Sequence, residues 1–134
     1  MTDQWLDTIV ESRTMATDRI AVLDLVRSDG TDLPEFDAGA HVDVLVDADQ
    51  KLVRQYSLCG PSQDRSRYRL GILLEPASRG GSVRMHAVAK GDLVRISPPR
   101  NRFCVASDAR RHVLIAGGVG ITPLLAMSHE LRAL

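Results

Sequence analysis

The spacing of the hydrophobic residues changes once along this chain, near Arg110, and this change limits the folds that the chain can adopt. Before it, short apolar runs are separated by turn residues such as Pro34. Val42, Val44 and Val46 recur at a period of two, which is typical of a strand with one buried face. Strands are predicted at residues 6–13, 19–27, 42–46, 52–58, 68–75 and 93–97, with a helix over residues 83–89. This pattern predicts a mainly β fold, a barrel or a sandwich, of six strands with one inserted helix.

Beyond Arg110 the pattern is that of an α/β protein. Residues 112–116 form a continuous apolar run, as expected of a parallel strand that is covered on both faces. A glycine-rich turn follows, and Thr122 and Pro123 are predicted as the N-cap and the first residue of a helix. The apolar face of this helix is predicted from Leu124, Met127, Leu131 and Leu134. One strand–turn–helix unit cannot cover its own strand, so we expect residues 1–108 to form one domain and residues 109–134 only the start of a second.

Composition excludes several classes of function. The 134 residues are 44% hydrophobic, which is enough for a core, and 17 acidic and 17 basic side chains give no net charge. The absence of a basic field argues against nucleic acid or an anionic membrane as a partner. No apolar stretch approaches the ~20 residues that span a bilayer. We also find no signal peptide, so a cytoplasmic location is expected.

The residues that could bind a metal ion have no ligand spacing. Cys59 and Cys104 are too few and too far apart for a zinc or an iron–sulfur site, and we expect them to be reduced and to act as small apolar fillers. Asp43, Asp47 and Asp49 are interpreted as a solvated strand face and a turn, because a calcium loop needs a longer series of ligands.

The segment from Arg54 to Ser57 is the first candidate for ligand binding. Arg54 and Tyr56 are two residues apart on a predicted strand, so their side chains emerge on one face. An arginine is suited to a phosphate, a tyrosine ring to a planar heterocycle, and the Ser57 hydroxyl to a ring nitrogen. An ordinary strand with a surface arginine and a half-buried tyrosine explains this short segment equally well.

Two glycine-rich turns are further candidates. Gly80-Gly81-Ser82 precedes the inserted helix, where the backbone can approach an anion closely and the first N–H groups can bind it. The alternative is a plain helix start with Ser82 as the N-cap. The second turn, Gly117-Gly118-Val119-Gly120, lies between a strand and a helix, as a dinucleotide fingerprint does, but departs from the pattern G-x-G-x-x-G. Its alternative is a tight turn without a ligand.

Taken together, these motifs resemble the ferredoxin–NADP reductase superfamily. The resemblance is strongest to the group of phthalate dioxygenase reductase and vanillate O-demethylase reductase, and it covers nearly the whole chain. The matching segments are residues 38–44 (AGAHVDV), 54–59 (RQYSLC), 76–82 (PASRGGS) and 117–123 (GGVGITP).

Membership of this group implies a six-stranded antiparallel Greek-key barrel that binds FMN, followed by an NAD domain and a plant-type ferredoxin domain with a 2Fe–2S cluster. Arg54 and the amides of residues 80–82 would hold the phosphate, Tyr56 would pack on the isoalloxazine ring and Ser57 would approach its redox-active nitrogen. Thr122 would touch the flavin from the other side. The residues implied in cofactor binding are Arg54, Gln55, Tyr56, Ser57, Gly71, Ile72, Leu73, Gly80, Gly81, Ser82 and Thr122, with Gly117, Gly118 and Gly120 beside the nicotinamide.

The resemblance also implies an activity and partners. Electrons would pass from NADH through FMN to an iron–sulfur centre and then to a terminal aromatic-ring oxygenase or demethylase. Most of the NAD domain and the four cluster cysteines are absent from this sequence, so those parts are expected on missing domains or on another chain. The alternative function is a flavin-free interaction module. In either case, the apolar strand–turn–helix unit at the C-terminal end could support a homo-oligomer.

Overall fold

Strands form at each of the six predicted segments. The computed structural model describes residues 4–75 and 80–133, and all statements about structure refer to these residues. The strands and helices are β1 (Leu6–Met15), β2 (Ile20–Arg27), β3 (Ala40–Asp47), β4 (Leu52–Ser57), β5 (Tyr68–Leu73), α1 (Gly81–His86), β6 (Leu93–Ile96), β7 (Arg100–Asn101) and α2 (Ile121–Arg132). The two-residue strand β7 was not predicted, because it is too short to have a period of its own.

The strands form one antiparallel sheet in the order β4-β3-β6-β1-β2-β5, and β7 pairs with the beginning of β3. The predicted closure into a barrel is not confirmed, because β4 and β5 lie at the two ends of this sheet. An isolated antiparallel bridge between Leu58 and Leu70 connects these ends. Beyond the bridge, the residues of β4 and β5 line a cleft and do not form a ladder.

The core lies on the inner face of the sheet. Leu23 and Leu25 on β2, and Leu70 and Ile72 on β5, are each two residues apart, as the period of two predicts, and have no exposed surface. Met85 brings α1 onto the same core. Neither helix in the described ranges has the length and apolar character that crossing a membrane requires.

Two sequence-based interpretations of polar residues are wrong. Asp43 is not on a solvated face: it is buried in β3 and forms an ion pair with Arg100 of β7.

Cys59 is the buried filler that was expected, and burial raises the pKa of its thiol to about 11. Cys104 is exposed instead. Both thiols are free.

The predicted parallel strand at residues 112–116 does not form. This segment has no regular secondary structure, and the side chains of Val113 and Ile115 are 73% and 85% exposed. A strand needs a neighbouring strand for its hydrogen bonds, and no strand in the described residues pairs with residues 112–116.

Helix α2 is present but starts earlier than expected. Its N-cap is Gly120, so Thr122 lies within the first turn, where its Oγ1 donates a hydrogen bond to the Val119 carbonyl at 3.1 Å. Of the predicted apolar face, Met127 is buried and Leu124 and Leu131 are partly buried. Leu134 lies outside the described residues.

Helix α2 is fixed to the β domain at both of its ends. At its start, a Cβ atom on Gly71 of β5 would lie only 2.9 Å from the Thr122 Cγ2, so the strand and the helix approach more closely than a larger residue permits. Near its end, Glu130 accepts hydrogen bonds from the Ala38 N–H at 3.2 Å and from the Ser62 hydroxyl at 3.4 Å. The orientation of α2 is therefore set by loops and strands of the β domain.

A partly buried ion pair joins β2 to β5. Arg69 donates to Asp24 through Nε at 2.8 Å and Nη2 at 3.2 Å, and the Ser12 hydroxyl adds a bond of 3.2 Å. Burial alone would raise the pKa of Asp24, but the hydrogen bonds and the charge of Arg69 outweigh it and hold the pKa below the ordinary 3.8. A lowered pKa in the folded state stabilises the protein above pH 3.8, and this contribution is lost as the pH falls further.

We expect Asp24→Asn to lower the free energy of unfolding at pH 7 by about 1–3 kcal/mol, because it removes a charged acceptor from two guanidinium donors. Urea denaturation at pH 7 and pH 3 measures this loss, which should be smaller at pH 3. Asp18→Asn, a change at an exposed carboxylate, is the matched control and should have little effect. Equal stability of wild type and Asp24→Asn at pH 7 would contradict the role of this pair.

We expect Gly71→Ala to destabilise the protein by about 1–3 kcal/mol, because its Cβ meets the Thr122 methyl group. Thr122→Ser removes that methyl group and keeps the hydroxyl. The double variant should therefore recover most of the loss in thermal or urea unfolding. If Gly71→Ala destabilises the wild type and the Thr122→Ser variant equally, the contact with the Thr122 methyl group is not the cause of the loss.

Candidate functional site

A cleft of about 630 Å³ follows the gap between the two end strands of the sheet. Strands β4 and β5 form two of its walls, and the start of α2 forms a third. The lining residues are Arg54, Gln55, Tyr56, Ser57, Gly71, Leu73, Glu75, Ser82, Val119, Gly120, Thr122 and Pro123. With Ser82 from α1, the cleft brings together residues from four separate parts of the sequence.

Strand β4 supplies the aromatic surface of the cleft. Arg54 and Tyr56 are both partly buried, whereas Val53 and Gln55 are exposed, as alternation along a strand requires. Tyr56 packs against the core. Burial raises the pKa of its phenol more than the charge of Arg54 lowers it, so the ring is neutral at neutral pH. It offers a flat, uncharged face to a ligand.

Arg54 lies directly over the start of α1. A Cβ atom on Gly81 would be 2.8 Å from the Arg54 Nε and 3.0 Å from its Cγ, so only a glycine leaves room for the arginine stem. The Nη1 of Arg54 donates to the Val53 carbonyl at 2.9 Å. A guanidinium carries five N–H donors in one plane, and here they are positioned beside the first turn of a helix.

Helix α1 begins at Gly80, whose φ of 105° is in the left-handed region that favours glycine. Ser82 is not the N-cap that the alternative interpretation required. Its hydroxyl accepts a hydrogen bond from the Glu75 N–H at 3.0 Å, which ties α1 to the end of β5. The part of the predicted phosphate turn at residues 76–79 lies outside the described residues.

Nine of the fourteen predicted site residues line this cleft, and five do not. The residues that line it are Arg54, Gln55, Tyr56, Ser57, Gly71, Leu73, Ser82, Gly120 and Thr122. Gly81 lies against the Arg54 side chain, and Gly80 precedes it as the N-cap of α1. Ile72 points into the core and has no exposed surface, because it alternates with Gly71 and Leu73 along β5. Gly117 and Gly118 are exposed and lie outside the lining.

Sequence reasoning missed Glu75, Val119 and Pro123 among the lining residues. Val119 and Pro123 flank residues that were assigned to the site, and the early start of α2 brings them to the cleft. Glu75 lies two residues beyond the end of β5, and the alternation that places Gly71 and Leu73 in the cleft also predicts it. Glu75 was not assigned to the site because a carboxylate repels a phosphate group.

No family model matches the chain, but individual relatives do. It is 47% identical over 129 residues to vanillate O-demethylase oxidoreductase from Pseudomonas putida, which covers 96% of this chain and 40% of that protein. It is 41% identical over 111 residues to phthalate dioxygenase reductase from Burkholderia cepacia, covering 82% and 34%. The chain thus spans about 40% of the length of the curated vanillate O-demethylase oxidoreductases that it matches.

The fold gives the same relationship. A solved structure of phthalate dioxygenase reductase, described as modular for electron transfer from pyridine nucleotides to 2Fe–2S, superposes with a TM-score of 0.92 at 38% identity over 98% of this chain and 40% of that one. The flavohaem-like FAD/NAD-binding domain of nitric oxide dioxygenase from Vibrio cholerae gives 0.86 at 27% identity, covering 96% and 57%. Over the part of those proteins that it spans, the chain therefore belongs to the vanillate O-demethylase and phthalate dioxygenase reductase group, which has the ferredoxin–NADP reductase fold.

Proposed function

We propose that this chain is the flavin-binding part of an NADH-dependent oxygenase reductase and that its flavin is FMN. The observation that supports this most is the position of Arg54 over Gly81, at the end of a cleft whose wall carries Tyr56. A cation with adjacent backbone donors, next to a flat ring surface, matches a planar heterocycle with a phosphate tail. The names of the relatives support the same class of enzyme.

In this proposal each wall of the cleft contacts a different part of the flavin. Arg54, the backbone of Gly80 and Gly81, and Ser82 hold the phosphate, and Tyr56 packs on the ring. Ser57 and Gln55 lie along the ring edge. The remaining contacts come from Gly71, Leu73 and the backbone of Ile72 on one side and from Thr122 on the other. Bound flavin would supply electron transfer between a two-electron nicotinamide donor and a one-electron acceptor.

The preference for FMN over FAD depends on the single phosphate-binding cluster. Arg54, Ser82 and Glu75 all line the cleft, and the Ser82 hydroxyl accepts a hydrogen bond from the Glu75 N–H. Among the described residues that line the cleft, Arg54 is the single arginine and there is no lysine, so the cleft offers one cation for one phosphate group. The same fold binds FAD in the Vibrio cholerae relative, so the preference is a property of these residues and not of the fold.

The remaining parts of the proposal concern the rest of the enzyme. We propose that residues 1–108 complete a barrel-type flavin domain across the Leu58–Leu70 bridge, and that residues 109–134 begin an NAD domain in which Gly117, Gly118 and Gly120 lie beside the nicotinamide. The described residues contain no group of three or more His, Cys, Asp or Glu side chains that could hold a metal ion, and the sequence has only two cysteines. The ligands of a 2Fe–2S cluster must therefore come from another domain or chain, which would pass electrons to a terminal oxygenase.

The identity of the bound flavin tests the proposal directly. The purified protein, reconstituted with a mixture of FMN and FAD and then desalted, should be yellow and should release FMN on denaturation, as identified by mass. Release of FAD alone would overturn the FMN assignment. A colourless protein that takes up neither flavin would overturn the proposed function and favour the interaction module.

We expect Arg54→Ala to weaken FMN binding by about 1.5–3 kcal/mol, because it removes a charge-assisted hydrogen bond to the phosphate. Riboflavin, which has no phosphate, should bind wild type and variant equally. Quenching of flavin fluorescence measures both affinities. Arg95→Ala is the matched control, because Arg95 pairs with Asp7 on the exposed surface of β6 and β1, away from the cleft. Unchanged FMN affinity in Arg54→Ala would place the phosphate elsewhere.

A further inference from the structure

Helix α1 is too short to hold its own position. It has six residues, and isolated helices of this length are not stable in water. Contacts with the sheet therefore decide where its first turn lies. Met85 is buried in the core, the His86 Nε2 is 2.7 Å from the Ile72 carbonyl, and the Ser82 hydroxyl accepts from the Glu75 N–H. These contacts all attach α1 to β5 and the core.

A further contact attaches α1 to the end of β3. Arg84 Nη1 forms an ion pair with Asp47 Oδ2, and the Asp47 side chain is only 17% exposed whereas that of Arg84 is 43% exposed. The other oxygen of Asp47, Oδ1, accepts from the N–H groups of Asp49 at 2.9 Å and Gln50 at 3.1 Å. A single carboxylate thus uses one oxygen to order the β3–β4 turn and the other to hold the helix.

This turn leads directly into the strand that carries Arg54. Strand β4 begins at Leu52, five residues after Asp47, and Arg54 extends from it across Gly81 of α1. The β3–β4 hairpin and the helix are therefore joined at two points, by the Arg54 stem of β4 at the first turn of α1 and by the pair between Asp47, at the end of β3, and Arg84 one turn later. The Asp47–Arg84 pair thus adds a link between α1 and the β3–β4 hairpin to the contacts that attach α1 to β5 and the core.

We propose that Asp47 and Arg84 are positioning residues that hold α1 and β4 at the separation at which both can bind one phosphate group. This inference depends on the proposed function, in which the flavin phosphate lies between Arg54 and α1. It extends that function to specificity: the pair would act on the phosphate end of the ligand and not on the ring, and so it would set the preference for FMN over riboflavin. The net charge of the pair is zero, so its contribution is geometric.

The experiment compares FMN and riboflavin affinities of the full chain with those of Asp47→Asn, Arg84→Met and the double variant. Asparagine keeps an oxygen for the turn but lacks the charge that holds Arg84. We expect FMN affinity to fall about tenfold in each single variant, a partial loss of one charge-assisted bond, with riboflavin affinity unchanged. The double variant should lose no more than either single one, since both remove the same contact.

The sign of the effect separates positioning from long-range attraction. If only charge mattered, Arg84→Met would weaken FMN binding and Asp47→Asn would strengthen it, because the phosphate is an anion. The positioning role requires both to weaken it. Asp49→Asn, an equal change of charge at the neighbouring exposed residue, is the control and should leave FMN affinity as in the wild type.

Each of the other outcomes overturns either this inference or the proposed flavin-binding function on which it depends. An equal loss of FMN and riboflavin affinity would mean that the pair supports the fold in general. Stronger binding of FMN by Asp47→Asn would mean that the pair acts through its charges and not by positioning α1. If the wild type binds FMN no more tightly than riboflavin, the proposed phosphate site itself is wrong. Thermal unfolding of each variant checks that it folds. If Asp47→Asn does not fold, Arg84→Lys replaces it, because lysine keeps the positive charge on a side chain of different length and shape.

Discussion

The passage of the Arg54 side chain over Gly81 is the contact on which the rest of the site depends. It joins an end strand of the sheet to the first turn of a helix that follows 24 or more residues later in the sequence. The contact requires that residue 81 has no Cβ, since any other residue would occupy the space of the arginine stem. A charged group and a set of backbone donors therefore reach the same end of the cleft without a buried, unpaired charge in the core.

The cleft exists because the sheet does not continue from β4 to β5. End strands present free backbone groups, which proteins normally cover or pair. Here the Leu58–Leu70 bridge joins the two strands at one end, and the start of α2 covers β5 through the close approach of Gly71 and Thr122. Alternation along β5 then separates two roles: Ile72 packs in the core while its neighbours on either side face the cleft.

The sequence predicted the β-strands and most of the cleft residues because both follow from local periodicity. Residues two apart on β4 and β5 had to share a face, and the structure places them so. The errors concern partners that are distant in sequence. Asp43 was assigned to solvent because Arg100, which pairs with it, is 57 residues away. The apolar run at residues 112–116 predicted a strand from its own composition, but a ladder depends on neighbours that composition does not specify. The start of α2 moved from Thr122 to Gly120 because a glycine-rich turn can adopt helical angles at several positions.

The charged residues near the cleft have two different roles: one attracts an anion, and the others orient the groups that bind it. Arg84 is paired with Asp47 and Arg69 with Asp24, so their fields largely cancel at a distance. Arg54 donates instead to a neutral carbonyl, and its charge is retained where an anionic group would enter. Glu75 opposes it from an exposed position, where water and salt screen a carboxylate strongly. An anion is therefore attracted mainly by one arginine, while the paired residues determine where the backbone donors beside that arginine lie. This division explains how a site with one dominant charge can still distinguish ligands by shape.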